Sequence, residues 1–211
     1  MSLQENKDEF ITIFENISNI ETLKKCILFS SIFVLIFECL KDFIIDRPLG
    51  LYCVDSSQMK EGRIVYEEND NYKQNVKALD KNPFPASVRW FQDKGDLTER
   101  DVEIISKAKN RRNVFVHEPL NILGQSVSQE DVMLLSNMAA IYKKLDSMWI
   151  NNVEDATGNC SDPKSIKPED CYSLSSALLQ IVKNIAIDNE EECSRWMDQI
   201  KAVLEKIIIG K

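Results

Sequence analysis

Between Cys26 and Leu40 the chain reads CILFSSIFVLIFECL, and no other stretch narrows the fold as much. As a helix it is apolar most of the way round, so it has no side to offer to water and belongs in the middle of a bundle. The run falls short of the roughly 20 residues that a bilayer span needs. Glu38 lies inside it, and Lys24, Lys25, Lys41 and Asp42 flank it closely. A buried central helix is expected, and no membrane partner. Six Gly and six Pro in 211 residues leave few turns, which favours long helices over many short strands. The expected class is all-α, one domain or one domain with a helical appendage.

Period and punctuation place the remaining elements. LQENKDEFITIFENISN reads as a short amphipathic helix with Phe10, Ile11 and Phe14 on one face. The central helix is expected from about Asn19 to Ile45, stopped by DRPLG. GRIVYEEND has the look of a strand or hairpin arm, NYKQNVKALDKN of a helix, and PFPASVRWFQDKG of a short helix closed by Gly95. Asp96 or Thr98 caps the next helix, which Pro119 ends near His117. SVSQEDVMLLSNMAAIYKKLDSMWI forms a helix from a Ser128 cap to about Ile150. The organisation is then a helical bundle over 1–150, a polar linker over 151–168, and a C-terminal helical hairpin over 169–211 that turns near Asp188-Asn189 and packs on the bundle.

Composition limits the function. A net charge of −8 disfavours nucleic-acid binding over the whole surface, though not at a small basic groove. The six cysteines, at 26, 39, 53, 160, 171 and 193, include no C-x-x-C and have no histidine placed to complete a zinc set. No metal and no cofactor are expected, and the thiols fit a reducing cytoplasm. The acidic first ten residues do not read as a signal peptide.

One stretch carries chemistry. RRNVFVHEP, residues 111–119, holds the chain's only histidine. At 100° per residue Arg112 falls on the apolar stripe of Ile105, Ala108, Phe115 and Val116, where a guanidinium is costly unless it is paired or faces a cleft. Asn113 and His117 are i,i+4 neighbours, and His117 sits in the last turn, where the helix end favours a cation. A histidine is suited to moving protons near neutral pH, and an arginine holds phosphate through two donors at once. Together they suit RNA cleavage. The 2′-hydroxyl attacks the adjacent phosphate, His117 moves a proton, Arg112 stabilises the phosphorane, and Asn113 orients the histidine or a phosphate oxygen.

This pattern resembles the HEPN domain family, whose R-x4–6-H motif ends a helix in an all-α chain. The resemblance runs through VRWFQDKGDLTERDVEIISKAKNRRNVFVHEPL, residues 88–120, where a short helix, a Gly turn and an acidic cap precede the Arg-Asn…His helix. It extends over about residues 20–150, with the C-terminal helices as an addition to a HEPN-like bundle. It implies a metal-independent ribonuclease of toxin or defence type, with RNA as substrate, an antitoxin or other protein as partner, and a homodimer with the Arg-His helices near its axis. Arg112, Asn113 and His117 are the catalytic candidates. Arg111 also meets the spacing but points away from the stripe and lacks the polar follower, which leaves it a substrate-binding candidate. The alternative from another class is a non-catalytic HEPN-like RNA-binding or protein-interaction module. Trp149 and Trp196 read as core, and Glu190-Glu191-Glu192 as a solvated acidic helix start.

Overall fold

The computed structural model describes residues 14, 18–53, 57–60, 63–118, 126–154 and 171–209. Most of the amphipathic N-terminal segment and most of the polar linker lie outside these. The fold is all-α: seven α-helices among the described residues, and one two-stranded antiparallel hairpin. The helices are α1 (Ile20–Cys53), α2 (Asp70–Asn75), α3 (Pro83–Asp93), α4 (Glu99–His117), α5 (Gln129–Trp149), α6 (Leu174–Ala186) and α7 (Glu190–Ile209). No helix among the described residues is long and apolar enough to cross a membrane. The chain divides into two compact units, one of residues 1–37 and 107–211, the other of 38–106. The C-terminal hairpin thus shares a unit with the last turns of α4 and with α5.

In the first unit Asn19 starts α1 by accepting from the backbone N–H groups of Glu21 (3.0 Å) and Thr22 (3.2 Å). Ser30 and Ser31 are tolerated mid-helix because each hydroxyl donates back to a carbonyl four residues earlier, Cys26 and Ile27, at 2.7 Å. Phe29 and Phe33 meet Phe115 edge-on, at 6.3 and 4.8 Å between ring centroids, and this aromatic group anchors the end of α4. On α5 the buried stripe is Asp131, Leu135, Met138, Tyr142, Leu145 and Trp149. Trp149 and Trp196 are both core residues, as the sequence implies.

The hairpin has an apolar core of its own, in which Ala177, Ile181 and Trp196 pack with Tyr172, Cys193 and Ile200. Polar contacts tie it to α5. Asp146 accepts from the Ser173 backbone N–H (2.6 Å), the Gln180 amide donates to the Ala139 carbonyl (3.1 Å), and the Lys143 ammonium lies over the rings of Tyr172 and Trp196. The turn between α6 and α7 places Asp188 at φ 54°, and Asn189 caps α7.

In the second unit α1 runs on to Cys53, past the expected stop near Ile45, with Pro48 inside it. A proline there loses one backbone hydrogen bond and crowds the carbonyl four residues back. Ile44, Pro48 and Cys53 are all buried, and that burial outweighs the local penalty. The suspected strand is the second arm of a hairpin, β1 (Ser57–Lys60) against β2 (Arg63–Tyr66). The segment after it is helical only as α2 and a short 3-10 turn at Lys77–Leu79. α3 takes both of its prolines into its first turn, where a missing N–H costs nothing. It closes on Gly95, whose φ of 82° is readily reached only without a side chain. Of the two proposed caps for α4, Thr98 is the one used: its Oγ1 accepts from Asp101 N (3.2 Å), and Asp101 Oδ2 accepts from Thr98 N (2.9 Å).

Candidate functional site

The RRNVFVHEP segment occupies the last two turns of α4, which ends at His117 as expected. Phe115 is its buried anchor, and the remaining side chains divide into two edges around it.

One edge is Arg111. Its Nε and Nη2 donate to the two carboxylate oxygens of Asp131 at 2.7 and 2.8 Å, a bidentate pair. The guanidinium carbon also lies 4.6 Å from the centre of the Phe115 ring. Asp131 is only 5 % exposed. It further accepts from the Ser128 hydroxyl (2.8 Å), while that hydroxyl caps α5 by accepting from Asp131 N (3.1 Å). Next to the pair is a cavity of about 10 Å³ lined by Cys26, Phe29, Ser30, Arg111, Phe115, Ser126, Val127 and Asp131, room for a water at most. Burial pushes the Cys26 thiol up, and the Asp131 carboxylate adds to that rise.

The expectation that Arg111 points away from the stripe is therefore corrected. Arg111 borders the stripe, because Asp131 sits on the apolar face of α5 and a buried carboxylate requires a cation. Two of its donors are committed to that carboxylate. As a substrate-binding residue it is poorly placed.

The other edge carries Arg112, Asn113 and His117. Arg112 and Asn113 are half-buried, and the Arg112 Nη1 donates to the Asn113 Oδ1 at 3.3 Å. With its oxygen turned to Arg112, Asn113 has its amide nitrogen left as a donor. His117 is exposed in the final turn, and among the described residues no hydrogen bond joins it to Arg112 or Asn113. The fold thus brings Arg112 and Asn113 together and leaves His117 exposed at the helix end. At 100° per residue His117 lies about 140° round the helix from Arg112, and the Arg112 Nε is buried, so the three groups can hold an anion and move a proton next to it only by the reach of the arginine side chain. Among the described residues no group of three or more His, Cys, Asp or Glu could hold a metal ion.

Sequence reasoning missed Asp131. The signal was present, since Asp131 falls in register with Leu135, Met138 and Tyr142 on an apolar stripe. It was the same anomaly that drew attention to Arg112.

Compared with protein-family models, with curated proteins and with solved structures, the chain finds no match in any of the three.

Proposed function

We propose that the protein is a metal-independent endoribonuclease of HEPN type, working in the cytoplasm as a homodimer, in a toxin or defence role with an antitoxin or other protein partner. The observation that carries this reading is the pairing of the half-buried Arg112 with Asn113, four residues from an exposed His117 at the helix end. In the reaction the 2′-oxygen bonds to phosphorus as His117 takes its proton. The phosphorus–5′-oxygen bond then breaks, and the imidazolium returns the proton to the departing oxygen. Arg112 bears the charge on the non-bridging oxygens, and Asn113 fixes the guanidinium and donates to phosphate. Products are a 2′,3′-cyclic phosphate and a 5′-hydroxyl.

A second reading, a non-catalytic RNA-binding or protein-interaction module, is favoured by one fact: His117 has no hydrogen bond to the other two residues. Incubation of wild type and His117→Ala with RNA in EDTA separates the two. The enzyme reading expects cyclic-phosphate ends from the wild type alone. RNA retained without cleavage by both proteins gives the module.

A further inference from the structure

Between Ile104 and His117 the chain carries Lys107, Lys109, Arg111 and Arg112 and no carboxylate, inside a protein whose net charge is −8. Asp131 takes up the charge of Arg111. Of the others, Lys109 stands beside the Arg112–Asn113 pair. At 100° per residue it lies about 60° from Arg112 on one side, and about 40° from Asn113 and 80° from His117 on the other. Along the axis it precedes Arg112 by about 4.5 Å and Asn113 by about 6 Å. Lys109 is exposed, and among the described residues nothing pairs with it. Lys24, Lys41, Lys73 and Lys201 also sit on helices, and each holds a carboxylate three residues away. The residues one turn from Lys109 are Ile105, Ser106, Arg112 and Asn113, and none of them is acidic. Two cations three residues apart on a helix repel, and a polyanion laid across both relieves the repulsion.

We propose that Lys109 holds the RNA phosphate next to the one taken by Arg112, so that one strand lies along this edge of α4. Consecutive phosphates of a strand are joined through a single ribose, and their separation is close to the one-turn step of about 6 Å from Asn113 back to Lys109. A lysine suits that place. The neighbouring phosphate needs a point charge on a flexible stem, not the planar two-point grip wanted at the reacting phosphate. Lys109 is therefore a binding residue and touches no reacting atom. Phosphate contacts carry no base information, so it holds a strand of any sequence. The inference rests on the reading that RNA is the ligand of this edge, and it stands whether or not His117 cleaves the strand.

The test uses the full chain and a short single strand of RNA with every 2′-hydroxyl methylated, which cannot be cleaved because its 2′-oxygen has no proton to lose. Affinity is measured by fluorescence anisotropy across a salt series for wild type, Lys109→Gln, Lys109→Arg and Lys107→Gln. Lys107 is also exposed and lies about 160° round the helix from Lys109. Each phosphate contact on a single strand contributes about 0.7 to the slope of log affinity against log salt. The expected result for Lys109→Gln is a slope shallower by about 0.7, with binding about three- to tenfold weaker at ~50 mM salt. Lys109→Arg and Lys107→Gln should keep wild-type values. Equal losses from Lys107→Gln and Lys109→Gln overturn the proposal, because the charges would then act through the surface as a whole. So does a slope that Lys109→Gln leaves unchanged. Cleavage of unmodified RNA by wild type and His117→Ala is read separately. Cleavage with an unchanged slope removes the Lys109 contact and leaves the ribonuclease reading standing, whereas the expected slope change without cleavage keeps the contact and removes the enzyme. Wild type that binds no strand overturns both.

Discussion

Arg111 and Arg112 are adjacent in sequence, carry the same side chain, and stand in opposite circumstances. Arg111 is locked by two hydrogen bonds to a carboxylate that is almost wholly buried, with an aromatic ring beneath it. Arg112, one step round the helix, is half-buried with its Nε out of water, and donates to the amide oxygen of its neighbour Asn113 at 3.3 Å. The 100° between successive residues is enough to give the two guanidiniums different partners. Residue type did not decide the roles; the facing helix did. α5 presents Asp131 to one arginine and not to the other.

The largest expected effect breaks the outer edge. His117→Ala removes the proton-transfer group and lowers RNA cleavage by about 10²–10⁴-fold, with no change in the urea midpoint. Next, Asp131→Ala breaks the inner edge by stranding the Arg111 guanidinium. Urea unfolding should show a loss of roughly 2–4 kcal/mol, at the lower side for a broken buried pair because Arg111 retains some contact with water. Arg112→Lys should cut cleavage by at least about tenfold in kinetic assays, since an ammonium cannot make the planar two-point contact with phosphate. Asn113→Ala should cost less than that, within about tenfold, because it removes orientation and one donor rather than the charge itself.

The smallest effect sharpens the inner edge. Burial and the Asp131 carboxylate both push the Cys26 thiol up, so its thiolate is scarce at neutral pH. Alkylation mapped by peptide mass should be slow at Cys26 in the native protein and rise as pH passes the ordinary thiol range. Asp131→Ala, by loosening the packing around the adjacent cavity, should quicken it. Fast labelling at neutral pH would contradict the closed packing around Arg111.

Most of the helical framework was legible. Pro119 placed the end of α4, Ser128 the start of α5, and the Asp188-Asn189 turn the break between α6 and α7. These are local signals written in residues beside the boundary. The end of α1 was not legible, because Pro48 is a local stop that burial of Ile44 and Cys53 overrides. At the site, helical geometry put Arg112 on an apolar stripe, where its side chain is half-buried, and set Asn113 to face His117, but Asn113 turns its oxygen to Arg112 instead. Arg111 was misplaced for a physical reason: its partner lies 20 residues away on another helix, beyond what the spacing along one helix can report. The exposure of Ile27, Leu28 and Leu35 on the outer side of α1 was hidden differently. A run that is apolar most of the way round looks fully buried, and only the packing of Phe29 and Phe33 on Phe115 shows which side is left over.

The division of labour between the two arginines is tested most directly by urea unfolding of Arg111→Met and Arg112→Met side by side. Methionine keeps much of the aliphatic stem and removes the charge in both. Arg111→Met should lose roughly 2–4 kcal/mol, because Asp131 stays buried without its cation, while Arg112→Met, which leaves that buried carboxylate paired, should lose about 1 kcal/mol or less. The reverse order, with Arg112→Met unfolding the protein and Arg111→Met leaving it intact, would make Arg112 the strut and contradict the account.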